Sequence, residues 1–132
     1  MKNTITWVLR IFIGIVGLML LYPGFMWSFM PEANLLQNSI EVNSILGINF
    51  LKSGMGTALL TTAIFMFLFL FKGEKWFLPS VILMATFLLI RVVSLIVDGS
   101  HTLIIAGILV EFISLIAMWG LNKLQRENHS QQ

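Results

Sequence analysis

Cysteine is absent from the 132-residue chain, which excludes disulfides, thiolate metal sites, iron–sulfur clusters and cysteine nucleophiles and leaves the redox compartment open. Charge is nearly as scarce, at 11% of residues against about 25% in soluble domains, so a water-facing surface of ordinary composition cannot be built. Histidine occurs only as His101 and His129, too few for a haem or di-iron site on helix faces. The chain has no GxSxG elbow, Walker loop or HExxH helix, so neither a catalytic constellation nor a cofactor or metal site is predicted. A net charge of +2 does not indicate nucleic acid, because the eight Lys and Arg are spread along the chain, several at the ends of apolar segments.

Apolar residues fill the gap. They make up 58% of the chain, and mean hydropathy is +0.92, values that call for hydrocarbon rather than water as solvent. They fall into four runs, at about residues 5–30, 50–71, 76–97 and 102–121. Each matches the roughly 20 helical residues needed to cross a hydrocarbon core of about 30 Å, and none alternates like a barrel strand. Arg91 interrupts the third run. A central Arg costs about 2.5–3.5 kcal/mol to insert, while each Leu, Ile, Phe or Val returns about 0.3–0.6 kcal/mol. Fourteen of these lie between Phe77 and Val97, so insertion wins. The predicted fold is all-α, a single integral membrane four-helix bundle.

Lys2 and the run behind it resemble a secretory signal, but the run is too long for one, and Trp27-Ser28-Phe29-Met30 offers no cleavage site; the segment is read as retained. Pro23-Gly24 predicts a bend or an end of the first span, and Pro31 a firm stop. Residues 31–49 mix polar and aliphatic side chains and are expected to hold a short interfacial helix. The connections at residues 72–75 and 98–101 are short enough to make their flanking helices antiparallel neighbours, giving sequential hairpins. Residues 122–132 read as a polar tail. Gly14, Gly17, Gly54, Gly56, Ala58 and Ala63 read as close-packing surfaces, and Trp7, Trp76 and Trp119 as an interfacial belt.

Lys2, Arg10, Lys72, Lys75, Lys123 and Arg126 fall on one side of the predicted bilayer, while the opposite loops hold Glu32, Glu41 and Asp98 without Lys or Arg. The positive-inside bias puts both termini in the cytoplasm, as expected for a multi-pass protein of the bacterial inner membrane. Inside the runs, Arg10 is read as snorkelling to the cytoplasmic edge and His101 as a loop residue. Arg91, Ser94 and Asp98 share one helix face, and Gly107, Glu111 and Ser114 share a face of the next. A charge alone in lipid costs several kcal/mol, so Arg91 is expected to pair with Glu111 or Asp98.

The segments Asn49-Phe50-Leu51-Lys52-Ser53-Gly54-Met55-Gly56 and Arg91-Val92-Val93-Ser94-Leu95-Ile96-Val97-Asp98-Gly99, with Glu111 in the last span, resemble the bacterial domain-of-unknown-function family 4345, small four-helix membrane proteins similar to the DoxX-like group. The resemblance covers nearly the whole chain and implies a four-helix fold, with no established activity. Lys52 stands where the family pattern has Arg, and lysine lacks the planar fork that grips a carboxylate or phosphate with two parallel bonds.

The expected site is a polar cluster in the extracytoplasmic half, built from Lys52, Arg91, Asp98 and Glu111 with Asn49 and Glu41. It suits a non-enzymatic binding or accessory protein that holds a small amphiphile, a lipid or another membrane protein. One alternative is a small homo-oligomeric transporter or proton-coupled channel with Glu111 as the titrating group. Another, implied by the DoxX-like resemblance, is an accessory subunit of a membrane redox complex.

Overall fold

The structure is a computed structural model that describes residues 2–37, 41–42, 44–97, 99 and 102–129. Among these the chain is all-helical: α1 (Lys2–Phe29), α2 (Pro31–Gln37), α3 (Ile45–Phe50), a π-helical segment (Leu51–Gly56), α4 (Thr57–Lys72), a 3-10 turn (Glu74–Trp76), α5 (Phe77–Val97) and α6 (Thr102–His129). Four stretches are long and apolar enough to cross a membrane, namely Thr4–Phe29, Ile45–Lys72, Glu74–Val97 and Ile104–Glu127. Large apolar side chains such as Trp7, Ile11, Leu18, Phe71, Leu78, Leu89, Leu109, Phe112 and Ile116 are exposed along these stretches, the reverse of a surface selected for water.

The chain forms two compact units, Met1–Val16 with Phe65–Gln132, and Gly17–Ile64. The first holds the start of α1, the end of α4, and α5 and α6. Its core is Ile13, Met66, Phe69, Met84, Met118 and Leu121, all fully buried. The α4–α5 turn depends on Gly73, whose φ of 81° and ψ of −154° lie in a region essentially confined to glycine. Past the turn, the buried Ser80 Oγ donates to Trp76 O at 2.7 Å and lies 2.8 Å from Phe65 O, tying α5 to α4 without leaving a polar group stranded in the core. Two ion pairs, Glu74 with Arg126 and Arg91 with Glu111, join low to high and high to low residue numbers, so α5 and α6 run antiparallel.

In the second unit, α1 packs antiparallel to the π segment and α4. A Cβ on Gly24 would lie 2.8 Å from Leu60 N, and one on Gly56 would lie 2.8 Å from Ser28 N and 3.0 Å from its Cα. These two glycines let backbone approach backbone. Thr62, fully buried, donates to Ala58 O at 2.8 Å and so satisfies its hydroxyl within its own helix.

Several boundaries differ from those read in the sequence. α1 passes through Pro23 without ending and stops at Phe29, and Gly24 is where it approaches Leu60 closely. The connection holds a short helix, as expected, at Pro31–Gln37, with proline in the first-turn position where its missing N–H is harmless. The second apolar stretch begins at Ile45 rather than 50, opened by Ser44, whose side chain accepts from Gly47 N at 3.0 Å. Residues 122–129 continue α6. Their Lys, Leu, Gln, Arg and Glu are good helix formers, and Asn122 is buried. Of the glycines read as packing surfaces, Gly54 meets nothing within 4 Å.

Candidate functional site

Arg91 lies six residues before the end of α5 and Glu111 nine residues into α6, roughly 9 and 14 Å from those helix ends. Both lie well inside their helices, and each finds the other. Arg91 Nε donates to Glu111 Oε1 at 2.6 Å, a charge-assisted bond. The two partners are unequally covered: the Arg91 side chain is 37% exposed and that of Glu111 only 6%.

The seat of the guanidinium is a missing side chain. A Cβ on Gly107 would lie 2.8–2.9 Å from Arg91 Cζ, Nε and Nη1. Gly107 is one turn before Glu111 on α6, so the guanidinium lies flat over glycine and reaches the carboxylate beside it. One turn beyond Glu111, the buried Ser114 Oγ donates to Val110 O at 2.6 Å, which removes its hydroxyl from competition for the carboxylate.

Glu111 Oε2 is buried and has no hydrogen-bond partner among the described residues. A carboxylate oxygen in that state costs on the order of 1–3 kcal/mol or more. Val92, Val93, Ile105, Leu109 and Phe112, from the same stretches of α5 and α6, are exposed, so the pair sits in an apolar surface with hydrogen-bonding capacity to spare.

No known protein family, curated protein or solved structure matches the chain. The site therefore has to be read from its own chemistry. Among the described residues, no three His, Cys, Asp or Glu side chains gather closely enough to hold a metal ion.

Of the residues expected to form the site, Arg91 and Glu111 are brought together. Asp98, like His101, lies outside the described residues. Glu41, Asn49 and Lys52 belong to the second compact unit, and all three are exposed. Lys52 lies in the π-helical segment, where Ser53 Oγ donates to Asn49 O at 2.8 Å. A serine bonding back to the carbonyl four residues earlier, followed by two weak helix formers, Gly54 and Gly56, favours such a local rearrangement. The seat at Gly107 was visible in the sequence only as a member of the Glu111 face. A glycine one turn from a buried acid was its signal.

Gly107→Ala tests the seat. Alanine gains about 0.8–1.0 kcal/mol of helix propensity, but its methyl group displaces the guanidinium from Glu111. Chemical denaturation in mixed micelles is expected to show no net stabilisation, and the Arg91–Glu111 coupling measured by a double-mutant cycle in this background is expected to fall below half its wild-type value.

Proposed function

We propose that the protein is a non-enzymatic, multi-pass membrane protein that binds the polar group of a small amphiphile or lipid at the Arg91–Glu111 pair. The observation that carries this reading is a charged pair set in apolar surface, with Arg91 over one-third exposed and Glu111 Oε2 lacking a partner. An ion pair that served only to fix helix register would be expected to close on itself. A ligand bearing both a donor and an acceptor meets both needs, resting on the exposed guanidinium and reaching Glu111 Oε2, which is closed to solvent in this structure, as the side chains around it part.

In this reading the four apolar stretches cross the bacterial inner membrane as one bundle with both termini cytoplasmic, an orientation supported by the clustering of Lys72, Lys75, Lys123 and Arg126 opposite the Arg91 end of the α5–α6 hairpin. We further propose a distant relation to the domain-of-unknown-function family 4345, which rests on the Arg91-to-Gly99 segment and Glu111 alone, since no family matches the chain as a whole.

The test is native mass spectrometry of gently purified wild type and Glu111→Gln, with organic extraction of whatever each carries. Glutamine keeps the shape but presents an NH2, with two N–H donors, where Oε2 accepts. The expected result is a specific co-purifying molecule in wild type whose occupancy falls at least about tenfold in Glu111→Gln, a difference of about 1.4 kcal/mol. Equal occupancy in the two proteins would overturn the reading.

A further inference from the structure

At the opposite end of the first unit from Arg91 and Glu111, a cavity of about 310 Å³ opens between α1, the end of α4 and α6. That far exceeds the roughly 10–15 Å³ that a single buried water needs. Arg10, Lys72, Gln125, Thr6 and Glu74 contribute its polar lining. Arg10, read in the sequence as snorkelling to the cytoplasmic edge, lines this cavity. Its Nε is buried with no hydrogen-bond partner, and so is Gln125 Oε1. A buried guanidinium N–H without an acceptor is costly, and the residues that carry these two atoms both border the cavity, whose occupant is either a ligand or ordered solvent.

Charge selects between them. Glu74, the only acid among the described residues that line the cavity, is already engaged, its Oε1 lying 3.2 Å from Arg126 Nε. Arg10 and Lys72 have no ion-pair partner among the described residues. Two uncompensated cations beside an amide, which offers both donor and acceptor, match an anionic phosphate group. The surroundings select for a phosphate attached to acyl chains. Trp7, Val8 and Ile11 on α1 and Phe71 on α4 are exposed beside the cavity residues, so a molecule with its phosphate in the cavity has apolar surface against which to lay its tails.

The geometry points to a binding site for the phosphate group of an anionic phospholipid at Arg10, Lys72 and Gln125. Phosphatidylcholine has the same phosphate but attaches an ammonium group to it, which Arg10 and Lys72 repel; phosphatidylglycerol does not. This site is independent of the Arg91–Glu111 reading, since Glu111 lines no part of it.

The test titrates full-length protein in neutral detergent with dioleoylphosphatidylglycerol, dioleoylphosphatidylcholine and inorganic phosphate, reading occupancy by native mass spectrometry. Phosphatidylglycerol is expected to bind more tightly than phosphatidylcholine, with about fivefold loss of affinity for each of Arg10→Gln and Lys72→Gln, corresponding to about 1 kcal/mol per cation. The loss caused by Lys72→Gln is expected to be the same in the wild-type and Glu111→Gln backgrounds, which separates this site from the Arg91–Glu111 pair. Lys72 is exposed, so Lys72→Gln, checked by circular dichroism, carries the test if Arg10→Gln does not fold. Failure of inorganic phosphate to displace phosphatidylglycerol assigns the site to lipid, whereas displacement assigns the same phosphate chemistry to a soluble source. Equal binding of the two lipids, or wild-type binding by folded Lys72→Gln, would overturn the proposal.

Discussion

Glu111→Leu is expected to lower the stability of the helical fold by about 3 kcal/mol, because removing one partner of a buried ion pair leaves the other charge without compensation. The value is at the low end for such pairs because the Arg91 side chain is 37% exposed. Arg91→Leu is expected to lose a similar amount, since Glu111 is then buried with neither oxygen paired. The double variant Arg91→Leu/Glu111→Leu recovers most of the loss, as matched leucines remove both charges and return apolar surface to the α5–α6 hairpin. Unfolding of all four proteins in mixed micelles gives the coupling directly. By contrast, Arg126→Ala removes the partner of Glu74 where both side chains are more than half exposed, and its effect is expected to stay below about 1 kcal/mol. Two ion pairs on one hairpin thus predict very different outcomes, and burial is what separates them.

The second large effect falls on two glycines only two residues apart. A side chain on Gly56 meets the backbone of Ser28, with Ser28 N at 2.8 Å from the first added carbon. Backbone cannot swing aside as a side-chain tip does, so α1 has to separate from the π segment and α4. Gly56→Leu is expected to destabilise by about 3 kcal/mol, the upper end for overpacking. Gly54 is exposed with nothing within 4 Å, and Gly54→Leu is expected to be neutral or stabilising by up to about 1 kcal/mol through the lost conformational freedom of glycine. Thermal unfolding followed by circular dichroism compares the two. Similar losses in both would mean that the π segment, rather than the close approach, needs its glycines.

This contrast also marks where sequence reasoning stops. The four long helices were legible because runs of some 20 apolar residues have few other solutions. That Arg91 needs a carboxylate was legible too, since a guanidinium far from a helix end has few other means of compensation. Which carboxylate was not: Asp98 shares its helix face and Glu111 lies across a turn, and helical spacing alone ranks neither first. The packing glycines were legible as a class only. Gly54 and Gly56 look alike until the path of α1 is known, and Gly24 looked like a place for the chain to bend. The stretch after Leu121 read as a polar tail, and helix α6 continues through it to His129 because its residues are good helix formers. Arg10 looked like an edge residue because a sequence shows the length of a side chain but not the cavity it lines.

The central claim is that Arg91 and Glu111 hold a ligand rather than merely each other, and the double-leucine variant separates the two. Wild type and Arg91→Leu/Glu111→Leu, first matched for stability and helical content, are purified side by side in mild detergent and examined by native mass spectrometry with identification of every bound small molecule. A specific molecule present in wild type and absent from the equally stable double variant is the predicted result. The same bound molecules in both proteins, or none in either, would contradict the account and leave the pair a structural clasp between α5 and α6.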